Sequence, residues 1–335
     1  MTRRLLLATV AAVLGALAAF QPAYAADPKP AIVFDLGGKF DKSFNEGVNQ
    51  GAAAFTKSTG IAVRDFEPQN SSQIEQALRT FAKRGFDPVL AVGFDQSSAL
   101  ATVAKEFPGT RFGIVDSVVE APNVQSILFR EQEGSYLAGV LAALSSKGGK
   151  IGFVGGMDIP LIRRFACGYA QGAKSVDPKI EVLQNMTGAT GAAWNDPVRG
   201  GELARSQMER GAQVIFAAAG ATGLGVLQAA ADAGKLGIGV DSNQNYLHAG
   251  HMLTSMLKRV DIATEKSFGA ARDGSWKAGV SVLGLSDGGV ALAFDSENAT
   301  LVTPEEKARV TQAGADIVAG KVKVHDYMAD NSCPM

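Results

Sequence analysis

The sequence predicts an α/β fold of two doubly wound parallel-sheet lobes, and two observations carry that expectation. Six short apolar or β-branched runs end in Asp or Gly and lead into a helix start: 31–35, 89–93, 113–116, 151–155, 214–217 followed by Gly220, and 236–241. A chain of 335 residues exceeds what one hydrophobic core serves, so two lobes are expected. In open sheets of this kind ligands bind beyond the carboxyl ends of the strands, where small residues admit a ligand and carboxylates face it.

The elements follow in order. Arg3 and Arg4, an apolar run from Leu5 to Phe20, and Ala23-Tyr24-Ala25 read as a secretory signal over residues 1–25, cleaved before Ala26. Strand one begins at Ala31. Ser43-Phe44-Asn45-Glu46 has the spacing of a capping box, so a helix starts at Phe44 with its first-turn side chains tilted back toward the end of strand one. Ser72-Gln73-Ile74-Glu75 has the same spacing and opens a helix whose apolar face is Ile74, Leu78 and Phe81, stopped at Gly85. Val124 to Phe129 reads as a fifth strand, Gly134 to Ser146 as an apolar helix, and Gly148-Gly149 as a break at the hand-over between lobes. The second half repeats the arrangement from Ile151, with Asp196-Pro197 as N-cap and first-turn proline. Met252 to Leu257 and a helix from Lys258 to Ala271 read as a return to the first lobe. Strands at 281–285 and 290–294 and a last helix capped by Thr303-Pro304-Glu305-Glu306 are assigned to the second. The expected division is 26–128 plus 252–278 for lobe one and 129–251 plus 279–335 for lobe two.

Composition narrows the function. With 46% hydrophobic and 19% charged residues the chain is ordinary for a globular protein. Loss of Arg3 and Arg4 takes the formal charge from -1 to -3, and no basic cluster stands out, which argues against a nucleic-acid partner. Three histidines and two cysteines show no ligand spacing, so no metal or other cofactor is expected. Cys167 and Cys333 are either joined, as an oxidising compartment permits, or left as free thiols with Cys167 buried on a helix.

Asp35, Asp116 and Asp241 each end a strand and are candidates to converge on one cleft. There their oxygens would accept from a ribose diol or the N–H edge of a base; the plainer reading of each is a cap for its own loop. Phe44 opens a helix beside strand one and Trp194 sits in a loop of small residues, so the two rings are candidates to sandwich a flat ligand. Stacking of that kind is worth about 1–3 kcal/mol per base. Gly220 to Gly225 follows a strand and opens a helix, but its glycine order departs from the dinucleotide fingerprint G-x-G-x-x-G. Lys258, at a proposed helix start, is a candidate to bind ligand oxygen or to pair with Asp241. Ser43 and Ser117 lack a recognisable histidine partner, so binding without turnover is the simpler account.

Asp35-Leu36-Gly37-Gly38-Lys39-Phe40-Asp41-Lys42-Ser43-Phe44-Asn45, Ala218 to Gly223, Ile238 to Gln244 and Thr254 to Lys258 together resemble the basic membrane protein family of ABC-transporter substrate-binding proteins. The resemblance covers nearly all of the chain after the signal. It implies a type I periplasmic binding protein fold, two lobes joined by three crossovers and closing on a purine nucleoside. By motif position it implies Phe44 as the stacking aromatic, Asn45 and Asp35 as partners of the base, and Asp241 and Lys258 as ligands of the ribose. The expected ligand set adds Asp116, Met157, Trp194 and Gly220. Asn243 and Ala221 stand where the family more usually has Asp and Gly, which bears on the sugar contacts. No Cys follows the apolar leader, from which a periplasmic protein without a lipid anchor is expected. The expected partners are a purine nucleoside and an ABC permease in the inner membrane, with the protein acting as a monomer. The rival readings are a receptor for a free purine nucleobase or another aromatic heterocycle, an exported nucleoside hydrolase, and a sensor whose closed form meets a membrane receptor.

Overall fold

The structure is a computed structural model that describes residues 27–146 and 149–334. The proposed signal over 1–25 lies outside the described residues.

The first lobe is built from β1 (Ala31–Val33), α1 (Phe44–Thr59), β2 (Arg64–Phe66), α2 (Ser72–Lys83), β3 (Val89–Val92), α3 (Ser97–Glu106), β4 (Phe112–Val115) and β5 (Val124–Phe129). The chain then crosses into the second lobe: α4 (Glu131–Ser145), β6 (Lys150–Met157), α5 (Pro160–Val176), β7 (Glu181–Gly188), α6 (Pro197–Glu209), β8 (Val214–Ala218), α7 (Thr222–Asp232), β9 (Leu236–Asp241) and β10 (Met252–Lys258). It returns to the first lobe for α8 (Val260–Asp273) and β11 (Gly279–Leu283), then ends in the second with β12 (Val290–Leu292) and α9 (Pro304–Val318). The sheet orders are β2-β1-β3-β4-β5-β11 and β7-β6-β8-β9-β10-β12. Among the described residues of these sheets only β12, against β10, pairs antiparallel. This is the two-lobed α/β architecture of the type I periplasmic binding protein fold, with three crossovers.

Two strands sit in the sheet opposite to the one expected. Met252–Lys258 pairs with β9 in the second lobe, and Gly279–Leu283 pairs with β5 in the first. The hand-over at residue 130 precedes α4, which packs on α5 and α9, so it comes earlier than the expected break at Gly148-Gly149, of which Gly148 lies outside the described residues. The reason is physical: an apolar run carries no mark of which sheet it belongs to, so its place is decided by long-range strand pairing.

Local capping signals fare according to their competition. Asp196 accepts from the Arg199 amide at 2.9 Å with Pro197 in the first turn. Thr303 and Glu306 form the reciprocal box, at 3.2 and 2.9 Å. The box expected at Ser72 does not form: α2 starts one residue after Ser71, and the Ser72 hydroxyl donates to Asn70 instead.

Helices α4 and α5 approach so closely that a Cβ on Gly139 or Gly172 would run into the carbonyl oxygen of Tyr169 or Tyr136. That contact places α5 against the cleft. Cys167 on α5 is disulfide-bonded to Cys333, with Cα atoms 5.6 Å apart, which resolves the two readings of the cysteines.

Candidate functional site

In each sheet the chain runs to one side of its first strand and then back to the other, so the reversal lies beside β1 and β3 in one lobe and β6 and β8 in the other. The crevices that such reversals open at the carboxyl ends of the strands face one another. Between them lies a cleft lined by residues of both lobes. Eight of the nine residues expected from the sequence line it: Asp35, Phe44, Asn45, Asp116, Trp194, Gly220, Asp241 and Lys258. Met157 is outside the lining; it ends β6 and pairs with Gly188. The structure adds Asp41, Gly93, Phe94, Leu161, Ile162 and Phe165.

The entry into α1 shows how the site is assembled. Ser43 does not cap the helix; Asp41 does, its carboxylate accepting the amides of Ser43, Asn45 and Glu46 at 2.8, 3.0 and 3.0 Å. A carboxylate is the stronger acceptor at a helix N-terminus and displaces the hydroxyl. The freed Ser43 hydroxyl donates across the cleft to Asp241 Oδ2 at 2.6 Å. Two more bonds join the lobes here, from Ser242 Oγ to the Ser43 carbonyl at 2.7 Å and from Gln244 Nε2 to that of Lys42 at 2.9 Å. Asn45, 2% exposed, is a brace: its Oδ1 accepts the Asp35 amide at 3.1 Å and its Nδ2 donates to Asp41 at 3.3 Å.

Lys258 ends β10 and does not start a helix. Its ammonium lies 2.6 Å from Asp116 and 2.9 Å from Glu131, which replace the expected pairing with Asp241. The rings of Phe44, Phe129 and Phe165 surround it, with centroids 5.1, 5.2 and 5.7 Å away. Glu131 is fully buried at the start of α4, three residues ahead of the Gly134 start read from the sequence, and the sequence analysis does not single it out.

Asp116 and Asp241 hold φ values of 70° and 62°, a left-handed conformation uncommon outside glycine and typical of side chains aimed into a site. Asp116 Oδ1 is buried and has no hydrogen-bond partner among the described residues, an acceptor open to a ligand. Trp194 closes the opposite wall. Its ring lies against Gly156, where any Cβ would collide with the indole, and its backbone flanks Gly220. The loop is pinned because the Ala193 carbonyl accepts from Thr187 and Thr222 at 3.0 and 2.8 Å. Gly225 serves packing, since a Cβ there would strike the Pro197 carbonyl.

Four carboxyl groups and one ammonium therefore line one cleft. Burial pushes Asp35 up to about 8, aided by Asp95, while the Leu36 amide opposes it. Burial also raises Asp116 and Asp241 to about 6 against the pull of Lys258, and Asp41 to about 6 against its three amide donors. Burial works to lower Lys258, but Asp116, Glu131 and Asp241 outweigh it and hold the amine above the ordinary lysine range. Such a site suits a neutral ligand rich in N–H and O–H donors with a flat apolar body, and it repels a phosphate.

The family model described as ABC transporter substrate-binding protein PnrA-like matches residues 29–326. The chain is 33% identical over 321 residues to the ABC transporter nucleoside-binding protein BmpA of Lactococcus lactis, covering 89% of each. It is 35% identical over 278 residues to an uncharacterized lipoprotein of Pyrococcus horikoshii, covering 78% of this chain and 68% of that one. A solute-binding protein of an ABC transporter system from Aeropyrum pernix superposes with a TM-score of 0.82 at 26% identity, over 89% of this chain and 93% of that one. The Pyrococcus relatives overturn one expectation: they are lipoproteins, so a strictly unanchored periplasmic form does not hold for proteins this similar.

Proposed function

Because the chain belongs to the PnrA-like family of ABC-transporter substrate-binding proteins, acting outside the cytoplasm as the small-molecule-binding component of an importer and not as an enzyme, we propose that its ligand is a purine nucleoside. The observation that carries the proposal is the pairing of an aromatic ring from each lobe, Phe44 and Trp194, with an acidic lining that holds a single ammonium. The base stacks between the rings. The ribose hydroxyls donate to Asp241 and the open oxygen of Asp116, and Lys258 donates to a ribose oxygen. Asp35, neutral near pH 7, offers its proton to an acceptor on the base.

The energetics are sufficient. Micromolar affinity needs about 8 kcal/mol. Two stacked faces at about 1–3 kcal/mol each and several hydrogen bonds to charged groups at about 1.5–3 kcal/mol each supply it after the entropy of closure is offset. The nucleoside-binding relative in Lactococcus lactis supports the same ligand class. The permease partner follows from the family.

Titration calorimetry with adenosine, guanosine, inosine, adenine and AMP tests the reading. Heat is expected from at least one nucleoside and none from AMP, whose phosphate meets the acidic lining. Heat from adenine alone assigns a nucleobase receptor, and silence from every purine refutes the proposal.

A further inference from the structure

Helix α5 has two working faces. Leu161, Ile162 and Phe165 face the cavity. Arg164, Cys167 and Gln171, spaced three and four residues apart, form a separate stripe. Every member of that stripe grips the C-terminal segment 325–333. Arg164 Nε and Nη2 bond the two Asp326 oxygens at 2.7 and 2.8 Å. Cys167 is joined to Cys333. Gln171 exchanges hydrogen bonds with the His325 backbone at 2.9 and 3.1 Å.

The remaining nitrogen of Arg164 points the other way. Nη1 donates to Glu131 Oε2 at 2.8 Å and to the Phe129 carbonyl at 2.9 Å. Glu131 Oε1 meets Lys258 at 2.9 Å, and Lys258 meets Asp116 at 2.6 Å. An unbroken line of alternating charge thus runs from Asp326 through Arg164, Glu131 and Lys258 to Asp116 in the cavity wall.

We propose that Arg164 is the positioning residue for Lys258, and that the disulfide-tethered C-terminal segment holds Arg164 in register, so that loosening the segment weakens ligand binding without altering any residue that touches ligand. Asp326 occupies two of the guanidinium nitrogens. Once it lets go, the fork is free to engage both oxygens of Glu131, the geometry that arginine and carboxylate favour. Glu131 is then drawn off Lys258, and the ammonium falls back on Asp116, consuming the acceptor the ligand needs. The inference rests on the nucleoside reading only for its choice of probe.

The test uses Asp326→Asn, Asp326→Glu, Cys333→Ser and the double variant Asp326→Asn/Cys333→Ser, each checked for native circular dichroism. Two readouts are taken: inosine affinity by calorimetry, and acetylation of Lys258 by an amine-reactive ester in ligand-free protein, read by peptide mass spectrometry. Asp326→Asn and Cys333→Ser should each weaken inosine binding about tenfold and raise Lys258 labelling. The double variant should be no worse than either alone, because both act on one line, and Asp326→Glu should restore both readouts. Losses that multiply in the double variant, or Lys258 labelling unchanged in folded Asp326→Asn and Cys333→Ser protein, overturn the proposal. If wild-type protein gives no heat with inosine, adenosine or guanosine takes its place as probe; if none of the three gives heat, the nucleoside reading fails while the labelling still decides the role of Arg164.

Discussion

Replacing Asp35 by Asn should remove the largest single-residue share of the pH dependence of stability between pH 4 and 8, leaving the shares of Asp41, Asp116 and Asp241, whose values are raised to about 6. The Asp35 side chain accepts one short bond, from the Leu36 amide at 2.6 Å, and among the described residues no cation pairs with it. Asp95, Asp41 and Asp116 add repulsion to its burial, and its value rises from 3.8 to about 8. In the unfolded chain the same group ionises near 3.8, so between these limits the folded state binds more protons. Stability from this group is therefore fully present below the unfolded value and is lost as pH rises through about 8. A shift of about four units at about 1.4 kcal/mol each sets a ceiling of roughly 6 kcal/mol. Relaxation and water entry should bring the measured loss to about half of that. The assay is urea unfolding of wild type and Asp35→Asn at pH 5 and pH 8.5. Wild type should lose more stability than the variant across that interval, by about 2–4 kcal/mol. Parallel profiles would refute a buried, protonated Asp35.

Phe44→Ala should weaken nucleoside binding by roughly 1–3 kcal/mol through loss of one stacking face, measured by calorimetry; equal affinity would remove the ring from the site. Lys258→Met leaves Asp116 and Glu131 without their shared cation and should destabilise the protein by about 3–5 kcal/mol in denaturant. In that background Glu131→Gln should recover part of the loss, and failure to do so would mean that Lys258 acts chiefly through packing. Ser43→Ala deletes a bond between the lobes and should enlarge the radius of gyration of ligand-free protein in X-ray scattering; an unchanged radius would show that the other inter-lobe bonds suffice.

The parts of this protein legible in the sequence are those written by near neighbours in the chain. A strand that ends in Asp, a proline after Asp196 and the Thr303–Glu306 reciprocity all act over a few residues, and each appears where the sequence puts it. Asp35 and Asp116 reach one edge by the same rule, because strands of a parallel sheet deliver their carboxyl ends to one side, while Asp241 meets them from the second sheet only through lobe closure. The capping box at Ser43 misleads because a better acceptor, Asp41, stands two residues earlier and releases the hydroxyl to the other lobe. Only the tertiary structure decides the rest. The bonds of Lys258 to Asp116 and of Arg164 to Asp326 span 142 and 162 residues. The exchange of β10 and β11 between sheets is likewise a matter of long-range strand pairing, and an apolar pattern carries no mark of its sheet. Which buried charge meets which is therefore fixed by sheet order and lobe closure, over distances at which local propensity has no reach.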